Sequence, residues 1–285
     1  MRWRARWWTR PERLDALTGA ASILIVGCGN MGGAMLAGWL AGGIDPARVT
    51  VVDPVLAVVP QGVTLLRTVP PGATFDVVLL GFKPQQLAAV APDIASAIGA
   101  GTVLLSILAG VELATLRAHF GAARAIVRVM PNLAAAIGKS PIGLIGDGDN
   151  TARALTDTLM APLGRAEWLA DEAQMDLLTA LAGSGPAFVY RFIDALAAGA
   201  AALGMERAQA DRLALAMVEG SAALAAASPD APGALADKVA SPGGVTRKGL
   251  DVLDADRRIA RLAEDTLRAA RDRSAEMARA ARIGE

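Results

Sequence analysis

The sequence predicts an α/β protein in two parts, a doubly wound and mostly parallel sheet followed by an all-helical C-terminal domain. Three observations carry this. From residue 22 to about 165, short apolar runs alternate with helical stretches, the pattern of βαβ units. From about 166 onward the strand-like runs stop and long helical patterns take over. A glycine-rich turn, in ILIVGCGNMGGAML, joins the first apolar run to the first helical stretch. At 285 residues the chain is long enough for two ordinary domains, each with its own core.

The elements follow in order. The first twenty residues, MRWRARWWTRPERLDALTGA, mix five arginines with three tryptophans, and no apolar h-region follows the basic start, so they are not a secretory signal. They are set outside the fold as a disordered extension or the product of a start codon assigned too early, in preference to a basic aromatic arm for an acidic partner. The expected strands are SILIVG, VTVVD, DVVLLGF, TVLLSIL, AIVRVMPN and SPIGLIG, with a helix from Met31 to Ala41 after the first. Helical patterns cover 171 to 182, 186 to 203, 206 to 227 and 248 to 281, punctuated by Gly204, Ser228-Pro229 and Pro232-Gly233. The domain boundary falls near Leu163-Gly164-Arg165, giving domains over 21–165 and 166–285. The apolar stretch around LLTALAGSGPAFVYRFIDALAAGAAALG is interrupted by Gly183 to Pro186, Arg191 and Asp194 too soon to span a membrane.

Composition excludes several classes of function. The 28 basic and 28 acidic residues cancel, which leaves no electrostatic case for a nucleic-acid or anionic-membrane partner. Cys28 is the only cysteine and His119 the only histidine, so no internal disulfide and no Cys- or His-rich metal site is expected. A single cysteine fits a reducing cytoplasm. His119, beside Phe120, reads as a surface or helix-end residue.

The first chemical signal is Gly27-x-Gly29-x-x-Gly32, which follows a β-branched apolar run and opens a helix, the setting that a dinucleotide-binding Rossmann fingerprint requires. Gly27 permits the tight turn, Gly29 lets a pyrophosphate approach the backbone, and Gly32 lets helix and strand pack closely. Asn30 and Met31 carry the first amides of the helix, whose N-terminus favours phosphate. Asp53 ends the second expected strand, 24 residues after Gly29, where an acid bonds the adenosine ribose hydroxyls. It favours NADH over NADPH because it repels a 2′-phosphate, and no Lys or Arg stands between Asp53 and Arg67 to oppose it. The turns Phe82-Lys83-Pro84, Ala109-Gly110 and Met130-Pro131-Asn132 follow later strands and are expected to border the nicotinamide half. Lys83 reads as an ordinary loop lysine near a phosphate or ribose.

A second glycine turn, Ser241-Pro242-Gly243-Gly244, lies in VASPGGVTRKGL. Taken alone it fits a helix-joining turn with Thr246 as the N-cap better than an anion site made of free amides.

Taken together and in order, VGCGNMG, GFKPQ, SILAGV, RVMPN, LAGSGPAFVY, DALAAGAAALGM and KVASPGGVTRKGL resemble pyrroline-5-carboxylate reductase from about Ile23 to about residue 275. That resemblance implies a Rossmann domain, a helical domain through which two subunits interlock, and in some members a ring of dimers. It also implies NADH or NADPH as cofactor and proline as product. On the same ground Ser184, Ser241 and the amides of Gly243, Gly244 and Val245 bind the substrate, and Thr246 orients the imine and is the catalytic candidate. The chain departs from the family's Met-Pro-Asn-Thr-Pro by placing Leu133-Ala134 after Asn132, and the family's basic residues after the second strand are absent. A β-hydroxyacid dehydrogenase would need a lysine on the helix from Ala187, which carries Tyr190, Arg191 and Asp194 and no Lys until Lys238. A non-catalytic dinucleotide-binding sensor leaves the second glycine turn without a purpose. A helix from Asp256 to Arg279, with Ile259, Leu262, Leu267 and Met277 on one face, predicts an obligate dimer.

Overall fold

In the computed structural model, residues 21–283 are described, with side chains to Arg279. The N-terminal extension lies outside the described residues. Eight strands form one sheet: β1 (Ile23–Val26), β2 (Val49–Val52), β3 (Thr64–Leu66), β4 (Val77–Leu80), β5 (Val103–Ser106), β6 (Ala125–Met130), β7 (Ser140–Gly146) and β8 (Gly164–Trp168). Their order is β3-β2-β1-β4-β5-β6-β7-β8. All neighbours run parallel except β6 and β7.

The central strands are apolar runs because both faces of the sheet are covered. Side chains alternate between faces. Ile23 and Ile25 join one core with Met35, Trp39 and Val51, whereas Leu24 and Val26 join the other with Ile94, Leu104 and Phe120. The first core holds α1 (Asn30–Ala41), which the Trp39 indole fixes by donating to the Leu159 carbonyl at 2.7 Å in α4 (Asn150–Met160). The second lies under α2 (Leu87–Ala95) and α3 (Leu113–His119), and His119 is the last residue of α3. Strand order reverses between β1 and β4, so the crevice beyond their carboxyl ends is where a ligand binds in a sheet of this kind.

Two strands were not expected from the sequence. β3 is a three-residue edge strand, and β8 alternates half-buried with exposed residues and carries Arg165 and Glu167. The strands therefore continue to Trp168.

After the sheet come α5 (Gln174–Leu178), α6 (Gly185–Ala202), α7 (Arg207–Ala227), α8 (Pro232–Val239), α9 (Val245–Asp254) and α10 (Arg258–Ile283). Two helical expectations are corrected. The segment 171 to 182 is not one α-helix, because α5 passes into a π-turn over Thr179–Gly183. The stretch 248 to 281 is two helices, broken where Asp256 and Arg257 adopt φ of 52° and 56°, so the last helix starts at Arg258 instead of Asp256. Aspartate tolerates the left-handed region better than most residues, and apolar periodicity carries no sign of such a break.

The described chain forms two compact units. One holds the sheet and its helices to Gly183 together with the chain from Ala270; the other is Ser184–Ala269. In the helical unit the buried apolar residues are small: Ala197, Ala210 and Ala214.

Candidate active site

The turn after β1 is built by close backbone approach. Gly27 has φ of +81°, and a Cβ on it would lie 2.7 Å from the Phe82 nitrogen. A Cβ on Gly81 would meet the Gly27 carbonyl oxygen at 2.4 Å, and one on Gly32 would meet the same oxygen at 2.8 Å. Gly27 and Gly81 thus let the turns after β1 and β4 touch along their backbones, and Gly32 lets α1 close on the first turn; Gly81 is the one that the sequence alone does not single out.

Gly29 is different. Nothing lies within 4 Å of a Cβ built there, and its φ of −70° suits any residue. As N-cap of α1 it supplies no side chain, so the first-turn amides of Asn30, Met31 and Gly32 are uncapped. Open space in front of uncapped amides at a helix N-terminus fits a dinucleotide pyrophosphate.

Asp53 lies at the end of β2 and is 7% exposed. Its Oδ2 accepts from the Cys28 amide at 3.0 Å, and its Oδ1 accepts from the Val55 and Leu56 amides at 2.9 Å each. Burial by itself raises this carboxyl. The three amides and the nearby Arg67 guanidinium outweigh burial and hold it below its ordinary value. The same surroundings, burial first and Asp53 second, push the Cys28 thiol up to about 11. Cys28 is therefore a protonated, buried thiol and no nucleophile. Arg67, on which the sequence reading placed no role, directs Nη1 at the Asp53 carbonyl at 2.8 Å and the Leu56 carbonyl at 2.7 Å.

The structure thus gathers Gly27, Gly29, Asn30, Met31, Gly32, Asp53 and Phe82 around the ends of β1, β2 and β4. Lys83 is exposed and precedes the 3₁₀ turn Pro84–Gln86, its amide donating to Gln86 Oε1 at 3.2 Å. Ala109 is exposed after β5, and Gly110 has φ of +78°, where a Cβ would meet the Ala278 Cα of α10 at 3.1 Å. Asn132 is buried. Its Oδ1 accepts from Ala134, its Nδ2 donates to the Ala182 carbonyl at 2.9 Å, and its amide donates to the Ser140 hydroxyl. That side chain is a staple between the turn after β6 and the π-turn before Ser184. A second buried staple, also missed from sequence, is Arg128 of β6, which donates to Glu172 at 2.6 Å.

In the helical unit Ser184 is the N-cap of α6, with Pro186 in the first helical turn. The second glycine turn is a tight one: Gly243 has φ of +70°, and the Gly244 amide donates to the Ser241 carbonyl at 2.9 Å. Gly244, without a side-chain cap bond, is the N-cap of α9. Thr246 therefore stands at the second helical position, which corrects the reading of Thr246 as the cap. Its hydroxyl and that of Ser241 make no hydrogen bond among the described residues, and both side chains are exposed. The turn presents the uncapped amides of Val245 and Thr246 and two unused hydroxyls.

Fold and first turn together define a dinucleotide-binding α/β protein with a helical C-terminal part. Residues 22–110 match the model for "NADP oxidoreductase coenzyme F420-dependent" proteins and residues 172–277 that for "Pyrroline-5-carboxylate reductase dimerisation". The chain is 34% identical to the pyrroline-5-carboxylate reductase of Pseudomonas aeruginosa, over 90% of its own length and 96% of that protein. To the enzyme of that name from Escherichia coli it is 34% identical, over 81% of this chain and 89% of the other. A solved pyrroline-5-carboxylate reductase from Coxiella burnetii superposes with a TM-score of 0.84 at 28% identity, covering 90% of this chain and 98% of that one. The chain belongs to the pyrroline-5-carboxylate reductase family.

Proposed function

We infer that the protein is a pyrroline-5-carboxylate reductase, reducing the N1=C2 imine of 1-pyrroline-5-carboxylate to L-proline, in which that carbon is C5, in the last step of proline biosynthesis. The observation that carries this is the kinship with reductases of that name along 90% of the chain. The glycine turn of the helical unit gives it a chemical basis.

The substrate carries a carboxylate at one end and a ring nitrogen that is most electrophilic as its iminium. The Gly244 amide is spent within the turn on the Ser241 carbonyl, so the free amides of Val245 and Thr246, with the Ser241 hydroxyl and the space left by Gly243 and Gly244, anchor the carboxylate without a bulky cation. Thr246 sets its hydroxyl toward the ring nitrogen and orients the ring. Ser184 donates to the substrate or to the nicotinamide carboxamide. NADH or NADPH, when bound, supplies the hydride that becomes a new C–H bond at the imine carbon, C5 of the product proline, while the C=N π electrons return to nitrogen and leave a neutral secondary amine. An iminium already carries its proton, so the chain contributes orientation, carboxylate anchoring and exclusion of water, with no His or Cys required.

On the cofactor side Gly27, Gly29, Asn30, Met31 and Gly32 cradle the pyrophosphate, Asp53 meets the adenosine ribose and favours NADH, and Phe82, Lys83, Pro84, Ala109, Gly110 and Asn132 border the rest. Residues 21–165 act as the cofactor domain and 166–285 as the dimerisation and substrate domain. The protein works as a homodimer, open to further assembly into a ring. A cytoplasmic location belongs to this reading and rests on the lone Cys28 thiol, which suits a reducing compartment. No helix among the described residues is long and apolar enough to cross a membrane.

The test is to mix the purified protein with racemic 1-pyrroline-5-carboxylate and NADH or NADPH. Loss of reduced-nicotinamide absorbance with matching L-proline formation is expected. No turnover with either cofactor refutes the reading.

A further inference from the structure

The acid at the end of β2 is not alone there. Asp53 has both carboxylate oxygens engaged by amides, two on Oδ1 and one on Oδ2, which leaves a single acceptor direction on Oδ2 for a ribose hydroxyl. Arg67 follows β3 directly, and the Leu66 carbonyl accepts from the Asp53 amide at 3.1 Å, so the ends of β2 and β3 are held side by side. The Arg67 guanidinium is fixed at that edge through one nitrogen only. Nη1 is shared between the Asp53 and Leu56 carbonyls at 2.8 and 2.7 Å. Nε and Nη2 make no bond among the described residues, and the side chain is exposed. Arg48, the other arginine near β2, precedes the strand and so belongs to its opposite end.

An arginine held by two carbonyls, with the rest of its planar fork free, is a preorganised receptor for a phosphate dianion. In sheets of this kind an arginine at this edge accommodates the 2′-phosphate of NADP. We propose that Arg67 binds the 2′-phosphate of NADPH, so that the ribose end of the site takes a phosphorylated ribose despite Asp53. The proposal rests on the dinucleotide reading above and names the residue that sets the balance between the two cofactors. Asp53 disfavours the 2′-phosphate by its charge and Arg67 compensates, which makes the pair a two-residue selector.

The test reads binding without turnover. Calorimetric titrations of the full chain with adenosine 5′-monophosphate and adenosine 2′,5′-bisphosphate are compared for the wild type, Arg67→Met and Arg67→Gln, each checked for an intact thermal midpoint. Gln keeps a donor for the loop carbonyls and so controls for bracing. The expected result is a loss of about tenfold or more in affinity for the bisphosphate, with the monophosphate within about twofold, in both variants. Unchanged bisphosphate affinity overturns the proposal. An equal loss for both nucleotides also overturns it, because Arg67 then only braces the loop. Failure of the reductase reading shows separately, as nucleotide binding without reduction of 1-pyrroline-5-carboxylate.

Discussion

The backbone amide of Cys28 donates to Oδ2 of Asp53 at 3.0 Å, tying the turn after β1 to the end of β2. Asp53 is therefore a structural clamp, and in the proposed site it is also the acid that meets the ribose. Replacing it by Asn removes the charge and leaves one oxygen for amides that the carboxylate served with two. The NADH-to-NADPH ratio of kcat/KM, expected above one in the wild type, narrows by a factor equivalent to about 1–3 kcal/mol. Stability falls by roughly 1–3 kcal/mol as amides lose an acceptor. The folded carboxyl lies below its ordinary value, so its contribution is fully present above the unfolded pKa and is lost as pH falls through the folded one. The variant's acid-denaturation curve should lack that part of the decline. A ratio unmoved by Asp53→Asn refutes the ribose role.

Gly27 and Gly29 stand two residues apart and separate architecture from binding. An alanine at 27 must adopt φ of +81° and clash with Phe82 backbone, whereas one at 29 meets nothing within 4 Å. Gly27→Ala is expected to cost at least about 1–3 kcal/mol of stability from its backbone conformation alone. Gly29→Ala should leave the thermal midpoint nearly unchanged and weaken NADH and NADPH alike by about tenfold or more, because its methyl projects where the pyrophosphate lies. Thermal melts and cofactor titrations on the two variants decide this. Full cofactor affinity in Gly29→Ala contradicts the cradle.

Much of this arrangement was legible in the sequence, and the reason lies in which signals are local. ILIV, VVLL and VLLS are continuous apolar runs because the sheet is covered on both faces, so they stand out unaided. The glycines of the first turn are legible because their spacing is fixed by one turn. β3 and β8 are edge strands with exposed positions, so neither leaves a continuous apolar run. The break at Asp256 and Arg257 is a backbone conformation, which apolar spacing does not encode. Arg67 escaped notice because its relevance arises only when β3 pairs with β2 and carries it beside Asp53. The place of Thr246 at the second helical position, with Gly244 as cap, depended on where α9 starts, and a glycine N-cap leaves a weaker trace than a hydroxyl.

The helical unit makes a prediction about assembly. Its buried apolar residues are three alanines, whereas Tyr190, Leu215, Leu224 and Leu262 are 57–68% exposed in the single chain. Little apolar surface is buried within the unit, and dimerisation through these faces is expected to supply the missing core. Sedimentation should show a dimer or a multiple of it down to nanomolar concentration. Leu215→Glu is expected to abolish assembly and turnover together. A fully active monomer contradicts the dimer.

Thr246 gives the sharpest separation between fold and chemistry. The side chain is exposed, unbonded among the described residues and not a helix cap, so Thr246→Ala removes nothing the fold uses. The expected change in thermal midpoint is close to zero, well short of the roughly 0.5–2 kcal/mol that a capping threonine would cost. If its hydroxyl orients the imine, kcat/KM for 1-pyrroline-5-carboxylate falls by about ten- to a few hundredfold, as expected for one lost hydrogen bond to a polar or charged group. NADH affinity should not move, because Thr246 is assigned to the substrate. Gly244→Val serves as the companion: a Cβ there approaches Ser241 Oγ to 2.5 Å and the Ser241 carbonyl to 3.0 Å, so turn geometry and activity should be lost together. Serine at 246 keeps the hydroxyl and should retain most of the activity that alanine loses. Wild-type kcat/KM in Thr246→Ala, measured on the sample used for the melt, removes Thr246 from the substrate site and leaves the carboxylate-binding amides as the turn's only contribution.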